Sequence, residues 1–255
     1  MGAGAAAAYA AAHAQSSVTI FGRLNTSIEY SRASTATDGT ALSGTGRLTN
    51  HRSVFGLRGE ETLDGTLKAI WQIESNLSLD TGAGQIAGRN PRVGLTGNDG
   101  TFFMRHWTTP YTEATMDYDP YYPTTAGYMA LIRNGAACST SNIENTNSFD
   151  RRQKNIVQYR SPEWNGLRGG VRWGMPEEKL TTPRNPALCS FAGTYDRGPL
   201  NVAPAYEPHQ HYQTADRNDD AIKVGVSYQI PTTKVPAVYE RLHYRTATGD
   251  LTRNG

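Results

Sequence analysis

The sequence predicts an all-β protein in which antiparallel strands cross a membrane and close into a barrel. Three observations support this fold class. Apolar and polar residues alternate with a period of two, the alternating segments are about ten residues long, and short turns alternate with long polar loops. A strand of about ten residues is long enough to cross a bilayer when it is tilted.

The alternation begins in residues 17–30, SVTIFGRLNTSIEY. Its apolar residues share one parity: Val18, Ile20, Leu24, Ile28 and Tyr30. The other parity is polar and carries both Arg23 and Glu29. The same pattern returns in HRSVFGLRGEE, GTLKAIWQIES, RVGLTG, NIVQYR, GLRGGVRWG and AIKVGVSYQI.

The connections fall into two classes. Tight turns rich in Gly, Asp, Asn or Pro are predicted in EETLDGTL, TGNDGTF, SPEWNGL and YDRGPL. Longer polar stretches are predicted as loops at 31–50, 77–88, 108–153, 174–189 and 208–219. Short turns on one side and long loops on the other are typical of bacterial outer-membrane barrels.

The composition agrees with strands that hide their apolar residues in alternation. Apolar residues, counted without glycine, make up 37% of the chain, which is low beside the roughly 45–50% of soluble globular proteins on a count that includes glycine. No apolar run approaches the ~18 residues of a membrane helix. The net charge of +2 gives no reason to expect a nucleic-acid partner. Fourteen tyrosines and four tryptophans suit the aromatic girdles of a membrane barrel, although a soluble sandwich also uses them.

The first fourteen residues are a candidate export-signal remnant. The Ala-rich stretch ends in an A-x-A site at 12–14, which predicts cleavage before Gln15, but the basic residues that usually begin such signals are missing. The alternatives are a disordered Ala/Gly tail or a wrongly assigned start. Cys138 and Cys189 either pair in an oxidising periplasm or are incidental loop residues.

The polar parity is enriched in arginine, which the outward face of a soluble sandwich does not explain. If the strands close into a barrel, this parity lines an aqueous lumen and the apolar parity faces lipid. The acidic members of the polar parity are Glu29, Glu60 and Glu74. The predicted pore-lining basic residues are Arg23, Arg52, Arg58, Lys68, Arg92, Arg160, Arg168, Arg172 and Lys223.

The motifs together resemble the Gram-negative general porins, of the trimeric β-proteobacterial type. The resemblance is carried by QSSVTIFGRLNTSIEY, RSVFGLRGEETLDGTLKAIWQIES, RVGLTGNDGTF, NIVQYRSPEWNGLRGGVRWG, YDRGPLNVAPAYE and AIKVGVSYQIPTTKV. It implies a sixteen-stranded barrel in the outer membrane, three copies per assembly, and passive diffusion of small hydrophilic solutes without a cofactor.

The resemblance also implies that a loop at 108–150 folds into the lumen and narrows it. The candidate acidic residues of this constriction are Glu113, Asp117 and Asp119. The candidate basic residues on the opposite wall are Arg23, Arg52, Arg58, Lys68 and Arg92. The excess of basic residues predicts a mild preference for anions.

This chain departs from the family pattern in four ways. Arg105-His106 replaces the usual Gly-Arg pair, which predicts a change in local pore charge or in strand register. Pro204 and Pro236 fall inside expected strands, where proline is expected only at edges or bulges. Only about ten or eleven strands are expected, and the sequence stops at a loop-like GDLTRNG. Residues 15–255 are therefore expected to form an incomplete barrel.

The alternative reading is a soluble or surface-attached β-sandwich that binds a ligand or carbohydrate. Asp80-Thr81-Gly82 matches the aspartic-protease tripeptide, but that chemistry needs two such carboxylates. His209-Gln210-His211 offers two metal ligands without a third. No motif nominates a nucleophile, so the sequence predicts no enzyme, no metal site and no cofactor.

Overall fold

The computed structural model describes residues 17–33, 42–121, 148–149, 152–175, 185–212 and 216–255. Within these ranges the chain forms fifteen strands. In chain order they are β1 (Ser17–Arg23), β2 (Thr26–Ala33), β3 (Leu42–Asn50), β4 (Ser53–Asp64), β5 (Leu67–Leu77), β6 (Gly84–Gln85), β7 (Arg92–Gly97), β8 (Gly100–Thr108), β9 (Arg152–Arg160), β10 (Leu167–Gly174), β11 (Ala187–Arg197), β12 (Leu200–Gln210), β13 (Asn218–Ile230), β14 (Thr233–Thr246) and β15 (Gly249–Asn254).

Thirteen of these strands form one antiparallel sheet in the order β1-β4-β5-β7-β8-β9-β10-β11-β12-β13-β14-β15, with β6 paired to β5. β2 and β3 pair with each other in a separate two-stranded sheet. From β7 to β15 every strand pairs with its neighbour in the chain, as in the barrels predicted from the sequence. Within the described ranges, no helix has the length and apolar character needed to cross a membrane.

The described residues form fifteen strands, more than the expected ten or eleven, for three reasons. The alternating segment 17–30 is interrupted at Leu24-Asn25, so it contributes to both β1 and β2. β3 occupies much of the stretch 31–50 that was predicted to be a loop, because LSGTGRLTN has too few apolar residues to show alternation. The short β6 and the terminal β15 were also predicted as loop, the latter within GDLTRNG.

The two faces of the sheet have opposite chemistry. Large apolar side chains are exposed on one face, here called the outer face, and include Ile73, Val93, Phe102, Met104, Val171, Trp173, Phe191, Tyr206, Ile222 and Tyr239. Polar and charged side chains are buried on the other, the inner face, and include Gln158, Arg172, Ser190, Glu207, Lys223 and Glu240. This inverts the arrangement in a soluble sandwich, in which two sheets bury their apolar faces against each other.

A short segment after β8 packs against the inner face. Residues 109–121, here called the inner segment, contain helix α1 (Pro110–Glu113) and a 3₁₀ turn (Met116–Tyr118). Thr109 caps α1 by accepting a hydrogen bond from the Thr112 amide, and Pro110 occupies the first helical turn, where a missing N–H costs nothing. The buried apolar cluster of the fold forms around this segment: Tyr111, Phe149, Ala205, Ala221, Leu242 and Tyr244.

The two strand prolines lie in different environments. Pro204 is inside β12 opposite Val224 of β13, and pairing with β11 continues on both sides of it. The expectation of an edge or bulge is therefore wrong at this position: the pairing with β11 is interrupted at Ala203 and Pro204 and resumes in the same register. Pro236 pairs with β13 only, because β15 reaches no further along β14 than Arg241, and this agrees with an edge position.

A candidate pore constriction

Glu113 is the centre of a cluster of charges on the inner face. Its carboxylate accepts hydrogen bonds from Arg105 at 2.6 Å and from Arg160 at 2.7 Å. The guanidinium of Arg172 lies 3.8 Å away. One carboxylate carried by the inner segment therefore interacts with three cations of the sheet, and these contacts hold α1 against the wall.

Strand register explains why these arginines converge. Arg105, Arg160 and Arg172 lie on the adjacent strands β8, β9 and β10, and all three point to the inner face. Gln158 lies between two of them, and its side-chain oxygen accepts hydrogen bonds from Arg105 at 2.8 Å and from Arg172 at 2.9 Å. The side chains of Arg105 and Arg172 are 1% and 0% exposed, whereas that of Arg160 is 44% exposed. Arg160 is thus the solvent-accessible member of this set.

The surroundings of Glu113 act on its pKa in opposite directions. Burial raises the pKa, because it disfavours the charged carboxylate. The positive charges of Arg105, Arg172 and Arg160, together with the hydrogen bond from Arg105, lower it, and the net pKa lies below the ordinary value. Glu113 is therefore ionised at neutral pH and anchors the inner segment as a carboxylate.

The lowered pKa of Glu113 predicts how its anchoring of the inner segment depends on pH. Because the folded-state pKa of Glu113 is depressed, its stabilisation is complete above the ordinary carboxylate pKa of about 4.3 and is lost as pH falls through the lower folded value. We expect single-channel current noise to be constant from about pH 7 to about pH 5 and to rise below about pH 4. The Glu113→Gln variant should lack this rise in noise at low pH. A rise of the same size in that variant would show that Glu113 is not the group whose protonation releases the inner segment.

A row of further cations extends from this cluster across the sheet. Gln72 of β5 is the cross-strand partner of Arg58 of β4 on one side and of Arg92 of β7 on the other. Arg92 is in turn the cross-strand partner of Arg105 of β8. Cross-strand partners share a face, so Arg58 and Arg92 lie on the inner face with Arg105. Arg92 is close enough to Arg58 and Arg160 for electrostatic interaction. Arg58 is exposed and Arg92 is partly exposed, so both are accessible from the inner side.

A second set of contacts anchors the other side of the inner segment. The Tyr111 hydroxyl donates a hydrogen bond to Glu240 at 2.7 Å, and the Tyr111 amide donates to the Ser190 hydroxyl at 3.0 Å. Lys223 pairs with Glu240 at 2.8 Å and lies 4.1 Å from the centre of the Tyr111 ring. Further along, the Tyr118 hydroxyl donates to the side chain of Asn201. The inner segment is therefore tied to β11–β14 as well as to β8–β10.

Of the remaining predicted basic residues, Arg168 lines the same inner-face cavity as Glu113 and Arg160, whereas Arg23, Arg52 and Lys68 are not among the residues that line it. Lys68 and Arg168 form ion pairs near the short turns, with Glu60 at 2.6 Å and with Glu163 respectively. Arg23 is exposed at the end of β1 and donates a hydrogen bond to the carbonyl of Arg52 at 3.2 Å. Arg52 lies between β3 and β4 with a φ of 54°, in the left-handed region.

The predicted acidic residues occupy three different environments. Glu113 lies at the arginine cluster described above, Asp117 is exposed, and Asp119 is buried. The backbone carbonyl of Asp117 accepts a hydrogen bond from Lys234 at 3.3 Å, and the Asp119 carboxylate accepts one from the Tyr121 amide at 2.9 Å. Residues 122–147, most of the predicted loop 108–150, lie outside the described residues.

Sequence reasoning did not include several residues that hold the site together. Arg105 was noted only as a departure from the family pattern, and the register does shift between Arg105 and Trp107 where β8 pairs with β9. Tyr111 was not singled out. The alternation in NIVQYR places Gln158 on the polar parity with Arg160, but it does not indicate that Gln158 accepts hydrogen bonds from both Arg105 and Arg172. No local signal connects Tyr111 with Glu240, which is 129 residues away.

The other motifs lie apart from this cluster. Asp80-Thr81-Gly82 is an exposed turn in which the Ala83 amide donates to the Thr81 hydroxyl at 3.4 Å. His209 pairs with Glu207 at 2.9 Å, and in the part of the chain that the structure describes no His, Cys, Asp and Glu residues are grouped to hold a metal ion. Cys189 is half-buried in β11, whereas Cys138 lies outside the described residues, so their pairing stays a prediction.

Comparison with known proteins places this geometry in a family. Residues 2–255 match the family model described as Gram-negative porin. Outer membrane porin protein 32 of Delftia acidovorans is 29% identical over 97% of this chain and 70% of its own length. An outer membrane porin protein of Bordetella pertussis is 26% identical over 91% of this chain, which spans 65% of that relative's length.

Solved structures support the fold independently. The anion-selective porin from Comamonas acidovorans superposes with a TM-score of 0.76 at 24% identity, covering 94% of this chain and 72% of the porin. Salmonella typhi OmpF, solved in complex with daunomycin, gives a TM-score of 0.65 at 13% identity over 91% of this chain and 69% of OmpF. With one family model covering nearly the whole sequence, the chain belongs to the Gram-negative porins, channel proteins of the outer membrane rather than enzymes.

Proposed function

We propose that this chain forms a water-filled channel through which small hydrophilic solutes and ions diffuse passively, with a preference for anions. The observation that carries the proposal is the excess of guanidinium groups around Glu113. Arg105, Arg160 and Arg172 contact this carboxylate, and Arg58 and Arg92 continue the positive row along the inner face. Charged side chains that line a narrow aqueous passage between low-dielectric walls set the ion preference of a channel.

Two relatives add support for this reading. Outer membrane porin protein 32 is a porin by name, and the solved Comamonas acidovorans structure is described as anion-selective. In the proposed channel, the loop at 108–150 narrows the lumen and carries Glu113, Asp117 and Asp119 into it. The exposed cations Arg58 and Arg160 form the surface along which anions pass, while Arg105 and Arg172 hold the inner segment in place.

We propose further that the intact protein assembles as a trimer in outer-membrane lipid, and that residues 1–14 are the remnant of its export signal. The exposed apolar residues of the outer face provide the surface for lipid and for neighbouring copies. Heat-modifiable electrophoresis of the full-length protein from the membrane fraction should show a slowly migrating trimer; a soluble monomer alone would contradict this assembly.

The anion preference is tested by removing two accessible cations together. In the full-length protein, Arg58→Ser with Arg92→Ser should weaken the preference for chloride, because both charges lie on the inner face beside the Glu113 cluster. Reversal potentials under a potassium chloride gradient across a planar bilayer measure this directly. Arg241→Ser is the matched control, since Arg241 is exposed and pairs with Ile222 of the outer face. A wild-type channel that favours potassium would overturn the proposal, and unchanged selectivity in the double variant would place both arginines outside the constriction.

A further inference from the structure

A cavity on the inner face, here called the niche, lies between the inner segment and the wall of the sheet. It has a volume of about 430 Å³, which is within the roughly 300–1,000 Å³ typical of small-molecule sites. On one side it is lined by Glu113 and Tyr118 of the inner segment. On the other side it is lined by Gly170 of β10 and Ala192 of β11, which are cross-strand partners. Because these wall residues are small, a space remains between them and the inner segment.

Basic and acidic side chains line the niche in equal numbers. Its charged residues are Arg160, Arg168, Lys234, Glu113, Asp117 and Asp196. A solute that carries charge of one sign is attracted by half of this set and repelled by the other half. A solute that carries both signs is attracted by both halves, provided that the two sets of charges are separated in space.

Arg160 and Arg168 form the basic end of the niche. Arg160 of β9 is the cross-strand partner of Gly170, which lies two residues from Arg168 on the same face of β10, and such diagonal neighbours are about 7–8 Å apart. The two side chains are 44% and 60% exposed. Arg160 donates to Glu113 through Nη2, and Arg168 donates to Glu163 through Nε and Nη2. Among the described residues, Nη1 of each arginine has no hydrogen-bond acceptor, so both can bind a further anionic group.

Asp117 and Asp196 form the acidic end of the niche. Asp117 belongs to the 3₁₀ turn and Asp196 to β11, and both are close enough to the Tyr118 hydroxyl for electrostatic interaction. Both residues are exposed, and within the described ranges neither carboxylate has an ion-pair or hydrogen-bond partner. Lys234 contacts the backbone carbonyl of Asp117 at 3.3 Å and lies 5.0 Å from the centre of the Tyr118 ring, so it pairs with neither carboxylate.

We propose that the niche binds a short zwitterionic peptide, with the peptide carboxylate at Arg160 and Arg168 and the peptide ammonium group at Asp117 and Asp196. This inference rests on the proposed channel, because a solute reaches the niche through the lumen. A guanidinium binds a carboxylate through paired hydrogen bonds. Strands β9 and β11 are two spacings of about 4.8 Å apart, and an extended dipeptide spans about 7 Å. A dipeptide therefore bridges the two ends once the side chains that form them extend toward it.

Photolabelling of the full-length protein in detergent micelles tests this site. The probe is a dipeptide of alanine and photo-leucine, a diazirine amino acid, and it should label residues 109–121, 158–170 and 192–201. Excess alanyl-alanine should suppress this labelling. N-acetyl-alanyl-alanine lacks the ammonium group and alanyl-alanine amide lacks the carboxylate, so each should compete about fivefold less well. Equal competition by all three peptides would overturn the proposal.

Two variants assign the ends of the niche. Asp196→Asn keeps the size of the side chain, and it should lower the labelling about three- to fivefold and reduce the advantage of alanyl-alanine over its acetylated form. Arg168→Gln should instead reduce the advantage of alanyl-alanine over its amide. Asp64→Asn is the matched control, because Asp64 is exposed at the turn between β4 and β5 and is not among the residues that line the niche. Wild-type labelling in both Asp196→Asn and Arg168→Gln would contradict the assignment.

Conductance in potassium chloride distinguishes failure of this site from failure of the channel. A wild-type protein that conducts potassium chloride but is not labelled in the three segments would overturn the niche and leave the proposed channel intact. A full-length protein that does not conduct would overturn the proposed function and this inference together. The variants are compared only among channels that conduct potassium chloride, so that a loss of labelling reports the site and not the fold.

Discussion

Replacing Glu113 with glutamine is expected to increase the chloride preference of the channel several-fold and to loosen the inner segment. The substitution removes a carboxylate that accepts hydrogen bonds from Arg105 and Arg160 and lies 3.8 Å from Arg172. The neutral amide that replaces it accepts only weaker hydrogen bonds from the first two arginines. Removing one partner of a buried ion pair typically costs about 3–5 kcal/mol, since the remaining charge stays buried without compensation. Reversal potentials measure the change in chloride preference, and open-channel current noise measures the loosening of the inner segment.

Glu163→Gln is the matched control for this variant. Glu163 also pairs with an arginine, Arg168, but both side chains are at least half exposed, and exposed pairs contribute about 0–1 kcal/mol. We expect it to change neither noise nor selectivity appreciably. A Glu113→Gln channel with wild-type selectivity and wild-type noise would show that this carboxylate neither offsets the arginines nor anchors the segment.

Replacing Lys223 with methionine is expected to destabilise the folded barrel by about 3–5 kcal/mol. Lys223 and Glu240 form an ion pair whose side chains are 1% and 4% exposed, so the variant leaves Glu240 buried with its charge uncompensated. The Tyr111 hydroxyl would still donate to Glu240, but one neutral hydrogen bond does not replace a cation. Urea unfolding of the full-length protein in lipid, followed by its electrophoretic mobility, measures the loss.

Lys68→Met is a matched control for Lys223→Met, because it removes a lysine from an exposed ion pair instead of a buried one. Lys68 pairs with Glu60 at 2.6 Å, a distance no longer than in the buried pair, yet the two side chains are 38% and 47% exposed. Lys68→Met should therefore cost about 1 kcal/mol or less. The double variant Lys223→Met with Glu240→Gln should recover most of the stability, because it removes both charges and keeps an acceptor for Tyr111. Equal losses for Lys223→Met and Lys68→Met would contradict the role given to burial.

Local pattern was sufficient for much of the fold. Segments such as GLRGGVRWG and AIKVGVSYQI alternate clearly, and they form β10 and β13. The turn at Asn165-Gly166 was predicted from its residues, and both adopt a positive φ. β3 was missed because two positions on the face that it shares with Ile28 and Tyr30 are Gly44 and Gly46, so a strand held by its pairing with β2 leaves no periodic signal.

Fewer features of the candidate site than of the fold could be predicted from the sequence. Alternation assigned Arg58, Arg92, Arg172 and Lys223 to one face, and the register places all four on the inner face. It did not distinguish exposed cations from buried ones. Arg58 is exposed while Arg172 and Lys223 are almost fully buried, because the inner segment covers β10 and β13 but not β4.

The sequence alone determined the two faces of this protein, since the direction of each side chain along a strand depends only on its parity. It also determined the antiparallel hairpins, because the turn residues are local. Only the tertiary structure decided which inner-face cations meet water and which anchor the inner segment. That outcome depends on contacts such as Tyr111 with Glu240, between residues 129 positions apart, and no local periodicity encodes a contact at that separation.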